Sequence, residues 1–99
     1  MSYKIFIRPE AEIDLNEAYF WYESQKGGLG KELVVQIDTC IASIQRNPFS
    51  YPFKYKKVVR GALVHRFPYS VFYIVEQHTI VVIAVFHAKR DPRVWQDRI

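Results

Sequence analysis

Residues 79–87, TIVVIAVFH, constrain the fold more than any other stretch of this chain. A strand with one face in water alternates apolar and polar side chains, whereas this one is apolar at both parities. Both of its faces must be covered, which places it in the interior of a sheet. The apolar run, residues 80–88, is far shorter than the roughly 20 residues that span a bilayer. It breaks directly into Lys89, Arg90, Asp91, Pro92 and Arg93, with Trp95 beyond. A buried strand that ends in a knot of charge is either a site or only the place where the chain leaves the core.

The segments that would cover this strand lie upstream. Residues 3–7, YKIFI, are β-branched and aromatic and predict a first strand. Pro9 suits the first turn of a helix, where a missing N–H costs nothing. Glu10, Glu12 and Asp14 then place negative charge at the positive end of the helix dipole. Ala11, Leu15, Ala18 and Tyr22 recur at helical spacing, carrying that helix to about Gln25, and Gly27-Gly28 stops it. Leu33, Ile37, Cys40, Ile41 and Ile44 form the stripe of a second helix, ended at Asn47-Pro48 because a residue before proline is driven out of the helical region. Two amphipathic helices with so short a link make a helical hairpin.

Beyond residue 48 the period changes. The stretch NPFSYPFKYKK reads as a turn-rich loop, followed by strands at about 57–61, 62–68 and 69–76, the first two also readable as one bent strand. Residues 76–79 supply a hairpin turn into the last strand. The order β-α-α-β-β-β predicts an α+β fold, a helical hairpin packed on one face of a small antiparallel sheet. With no repeat, low-complexity segment or linker, residues 1–99 read as one domain.

A single cysteine excludes an intrachain disulfide, and Cys40 falls within a helical apolar stripe. No signal peptide is legible ahead of the first strand, so a soluble, cytoplasmic protein is expected. The charge is uneven: residues 1–50 carry five Lys/Arg against seven Asp/Glu, and residues 51–99 carry nine against three. A basic half beside an acidic half points to a surface that meets a polyanion or an acidic protein segment.

Three features are candidates for function. Tyr19-Phe20-Trp21-Tyr22 sweeps about 300° of a helix whose buried stripe needs little over 100°, so at least one of these rings faces away from the sheet. The loop 49–57 interleaves Phe49, Tyr51, Phe53 and Tyr55 with Lys54, Lys56 and Lys57, a composition suited to stacking on bases and neutralising phosphates. Finally, Arg60, His65, Arg66, His87, Lys89 and Arg90 gather near strand ends. RNA cleavage through the 2′-hydroxyl needs a base, an acid and a cation for the developing charge, and His and Arg side chains on neighbouring strands have that chemistry. His65, His78, His87 and Cys40 lack metal-ligand spacing, and the four glycines make no phosphate loop, so neither a metal nor another cofactor is expected.

The segment RFPYSVFYIVEQHTIVVIAVFHAKRDPRVW, residues 66–95, with the Pro-Glu-Ala helix start and the helix pair, resembles toxins of the RelE/ParE superfamily. These come from bacterial type II toxin–antitoxin, or plasmid-stabilisation, modules. The resemblance implies a cognate antitoxin as partner and growth arrest as the cellular effect. RelE-like members cleave mRNA on the ribosome with basic residues, whereas ParE-like members inhibit DNA gyrase. Arg66 and Arg90 match basic positions of the nuclease branch, with His87 available as acid or base. The ending His-x-x-Arg-Asp-Pro, with no tyrosine after the last strand and no glutamate set as a base, stands closer to the ParE-like side. The first expectation is therefore a gyrase inhibitor. The alternatives are a metal-independent, ribosome-dependent endoribonuclease using Arg66, His87 and Arg90, or a non-toxic nucleic-acid-binding module. Lys54, Lys56, Lys57, Arg60 and Lys89 are expected to meet nucleic acid or target, and Tyr19, Trp21 and Tyr22 to anchor the antitoxin.

Overall fold

The computed structural model describes residues 3–99 and answers the parity of the last strand with two cores. Strand β1 (Lys4–Ile7) leads into α1 (Pro9–Gln25) and α2 (Leu29–Arg46). Strands β2 (Phe53–Tyr55), β3 (Val59–Leu63), β4 (Tyr69–Glu76) and β5 (Thr79–His87) follow, and a single turn, α3 (Arg93–Gln96), comes last. The sheet order is β1-β5-β4-β3-β2. β2 to β5 form an antiparallel ladder, and β1 joins β5 in parallel from Lys4↔Thr79 to Ile7↔Val82. The sheet is thus mixed, and β5 is interior as its composition requires.

Each helix has a local cause. Pro9 occupies the first turn of α1 with Glu10 and Glu12 beside it. Gly28 adopts φ 89, a left-handed conformation that suits glycine, and turns the chain into α2. Glu23 of α1 accepts the N–H groups of Gly28 (3.1 Å) and Gly30 (2.8 Å), capping α2 from the neighbouring helix. Those bonds hold its carboxyl below the usual range. Gly30 also sets the helix spacing, since a Cβ there would lie 2.6 Å from the Tyr19 carbonyl oxygen.

Leu33, Ile37, Cys40 and Ile44 of α2 and Ala11 and Ala18 of α1 pack on Ala62, Val71, Tyr73, Ile80, Val82 and Val85. Burial there pushes the Cys40 thiol up to about 11 and the Tyr73 phenol up to about 12, and the Tyr73 hydroxyl donates to the Pro48 carbonyl. A β-bulge in β5, where Phe72↔Ala84 is followed by Tyr73↔Val82, sends Ile83 and Ala84 to the same side. That side, with Val81 and Phe86, forms the second core with Val59 and Trp95. Trp95 stacks on Phe72 with centroids 4.1 Å apart, and Tyr55 meets its edge at 5.9 Å.

Three details depart from the sequence reading. The expected strand at 62–68 ends at Leu63, because Arg66 turns left-handed at φ 71 ahead of Pro68. The loop at 48–56 contains β2, which pairs along β3. The charged tail beyond β5 folds back over the sheet as α3. Its Arg98 grips the buried Asp14 through two bonds of 2.6 and 3.1 Å and donates to the Ile83 carbonyl at 3.0 Å. Asp14 also accepts the Val85 N–H, so this pair satisfies the part of the β5 edge that β1 is too short to reach.

Candidate functional site

Opposite the helices, the sheet carries a groove in two adjoining hollows of about 480 and 300 Å³. Lys54, Ser70 and Phe72 line both. Tyr51, Pro52, Gly61 and Leu63 extend one end, and Phe86, His87, Arg90 and Trp95 the other. Strand alternation brings Gly61 beneath Lys54 and Phe72, where an added Cβ would lie 2.8 Å from the lysine side chain. Leu63 stands 82% exposed, unusual for a leucine within a strand.

The structure separates the expected catalytic group. Arg66 lies on the helix side, 3.8 Å from Glu32 and beside Lys31, Val35 and Gln36. Arg90 lines the groove on the other side, whereas His87, at the groove's end, pairs with Tyr69 and turns its ring to the helix side. The His87 ring meets the edge of Tyr69 at 5.2 Å, and its Nδ1 accepts the Lys89 N–H at 3.0 Å. That bond engages one of the two ring nitrogens. The Arg90 guanidinium lies over the Phe86 ring, 4.3 Å from its centroid. The neighbouring Asp91 is occupied by Arg93 through bonds of 2.7 to 3.1 Å, which hold its carboxyl below the usual range.

The expected basic contacts divide in the same way. Arg60 is tied into the fold: it donates to the Tyr51 carbonyl at 2.6 Å and the Phe49 carbonyl at 3.2 Å, and lies over the Phe53 ring at 3.9 Å. Lys54, Lys56, Lys57 and Lys89 are exposed. Lys56 and Lys57 form the β2–β3 turn with φ 51 and 52, a left-handed pair more often filled by Gly or Asn. Lys56 also approaches the Tyr55 ring at 5.1 Å.

On α1 two of the four adjacent rings face outward. Phe20 is 68% and Trp21 58% exposed, and Ile13 continues their strip one turn pair earlier. Tyr19 is half-buried at the Gly30 crossing. Tyr22 belongs to the core wall, against Phe67 at 5.1 Å and Tyr69 at 6.1 Å, and burial raises its pKa. Phe20, part of the aromatic run but not among the expected anchors, shares one helical face with Ile13, seven positions earlier. Leu63 gave no local signal, because its exposure depends on β2 ending before reaching it.

A family model described as ParE toxin of type II toxin–antitoxin system, parDE, matches residues 5–92. Among solved structures, a chain from "Chromosomal ParDE TA system from P. aeruginosa" is similar in fold, with a TM-score of 0.78 at 19% identity. The match covers 88% of this chain and 97% of that one. No curated protein matches the sequence.

Proposed function

Because the chain belongs to the ParE toxin family of type II toxin–antitoxin systems, we propose that it arrests growth by binding and inhibiting DNA gyrase in the cytoplasm, and that a cognate antitoxin neutralises it. The observation that carries a binding mode of action is the separation of the basic residues. Cleavage of RNA needs an acid, a base and a cation directed at one phosphate. Arg66 is on the far side of the sheet with Glu32, and the Nδ1 lone pair of His87 is engaged by the Lys89 N–H. The groove, with Lys54 and Arg90 over an apolar floor and Lys56, Lys57 and Lys89 exposed elsewhere on the surface, suits recognition better than reaction. The outward strip of Ile13, Phe20 and Trp21, with Tyr19 beside it, offers aromatic anchors for the antitoxin.

The test is a supercoiling assay with purified gyrase, alongside labelling of DNA, RNA and protein synthesis after inducing the gene alone. Inhibited supercoiling and an early fall in DNA synthesis are expected. An early fall in translation with mRNA trimmed on ribosomes would overturn the gyrase reading in favour of the nuclease, for which Lys54 and Arg90 share one groove with His87 at its end. Normal growth at good expression would refute both.

A further inference from the structure

We infer that a row of rings and cations at the open edge of the sheet, on its helix side, binds single-stranded nucleic acid. Among the described strands, β2 is the last on that edge. Its Phe53 pairs with Arg60 of β3, and Arg60 pairs with Tyr73 of β4, whose ring packs under the helices. Cross-strand partners share a face, so Phe53 and Arg60 point to the helix side, away from the groove. The Arg60 guanidinium lies between two rings, 3.9 Å from the centroid of Phe53 and 5.4 Å from that of Phe49. Phe49 meets Tyr3 at 6.3 Å, and Tyr3 meets the exposed His78 at 6.3 Å, which carries the row across the end of the sheet.

Three properties specify the ligand. The rings are open to solvent, Phe49 at 57% and Phe53 at 45%, although each already lies against a cation. Arg60 is fixed before any ligand arrives, because its Nη1 donates to the Phe49 and Tyr51 carbonyls. Its Nε and Nη2 have no hydrogen-bond partner among the described residues and so remain for a phosphate. The hollow beside it, about 240 Å³, is lined by Lys57, Val58 and Ile74 as well as Phe49, Phe53 and Arg60, with no carboxylate. Neither Lys57 nor Arg60 is in a salt bridge among the described residues. Flat rings in series take bases by stacking, and unneutralised cations between them take the phosphates. A duplex keeps its bases stacked on one another, so the rings select a single strand. An acidic peptide would satisfy the cations but has no series of flat faces for the rings. Such binding needs only the toxin itself and is independent of whether gyrase is its target.

The experiment measures fluorescence anisotropy of short labelled oligothymidylate and oligouridylate with the purified toxin across a range of salt. Saturable binding is expected, weakening with salt at a log–log slope of about −1.4, since two phosphate-neutralising cations contribute about −0.7 each on a single strand. Phe53→Leu keeps an apolar side chain against Arg60 but removes the stacking face, and should weaken binding about tenfold with the slope unchanged. Lys57→Glu should flatten the slope to about −0.7 or less. Both positions are exposed, so the melting temperature should hold, which keeps a lost contact distinct from a lost fold. This pair of signatures with either oligonucleotide supports the assignment, and the tighter of the two identifies DNA or RNA as the ligand. No binding at low salt overturns it, as does binding that Phe53→Leu leaves at full strength. Loss of gyrase binding by Phe53→Leu without any change toward the oligonucleotides also overturns it, and gives the row to a protein partner.

Discussion

Replacing Arg98 by alanine tests whether the charged tail is structural. The side chain is 14% exposed and Asp14 4% exposed, so the variant leaves a carboxylate almost out of water with only the Val85 N–H as partner. It also strips the Ile83 carbonyl of its donor. Removing one member of a buried pair costs about 3–5 kcal/mol. The residual exposure of Arg98 favours the lower end, about 3 kcal/mol. A domain of this size is stable by roughly 5–15 kcal/mol, so the loss is a large share of the whole. At about 4–8 °C per kcal/mol the melting temperature should fall by about 12–24 °C. Urea denaturation of Arg98→Ala, Asp14→Ala and the double variant forms a cycle that isolates the pair. The double variant should be far less unstable than the sum of the singles, because it buries no orphan charge. A loss below about 1 kcal/mol for Arg98→Ala, or strictly additive losses, would refute the reasoning.

Two further outcomes follow from the core and the helix pair. Cys40 is raised to about 11 and Tyr73 to about 12, so between their unfolded values and these the folded state holds more protons than the unfolded one. Stability is therefore full below about pH 9 and falls as pH rises toward 12, to be followed by urea midpoints at each pH; a flat profile for wild type would refute this, and Cys40→Ala should shrink the lower part of the decline. Gly30→Ala drives a methyl against the Tyr19 carbonyl and ring, and is expected to destabilise by about 1–3 kcal/mol by forcing α1 and α2 apart. An unchanged denaturation midpoint would show that the helices adjust freely.

The helical hairpin was readable because its information is local. Pro9, the paired glycines and Asn47-Pro48 mark the boundaries, and the apolar spacing of α2 marks its buried face. The last strand was readable because burial on both faces leaves no polar position. What escaped depends on neighbours distant in sequence. β2 exists because β3 lies alongside it, and the nominal strand 62–68 fails because Arg66 and Pro68 bend away. Asp14 looked like a charge placed for the helix dipole, and nothing local ties it to Arg98, 84 positions on. The candidate site divided similarly. Lys54 and Arg90 share a groove, the His87 ring turns to Tyr69 on the helix side, and Arg66 sits behind the sheet because its left-handed turn carries it there. Four adjacent aromatics required an outward ring, but only the packing of Tyr22 against Phe67 and Tyr69 decides which ones remain outside.

The parallel pairing of β1 with β5 has a consequence for how the protein comes into being. Lys4–Ile7 cannot find its place until Thr79–Val82 has been synthesised, and Arg98 closes the β5 edge last of all. At roughly 5–20 residues per second, the intervening chain takes about 4–15 s to make. Throughout that interval the nascent chain has neither a finished sheet nor a seated Trp95, and so lacks the groove. The face opposite the helices is therefore finished only after every strand is in place, and a chain ending before Trp95 would lack both the groove floor and the Arg98 contact that closes the β5 edge.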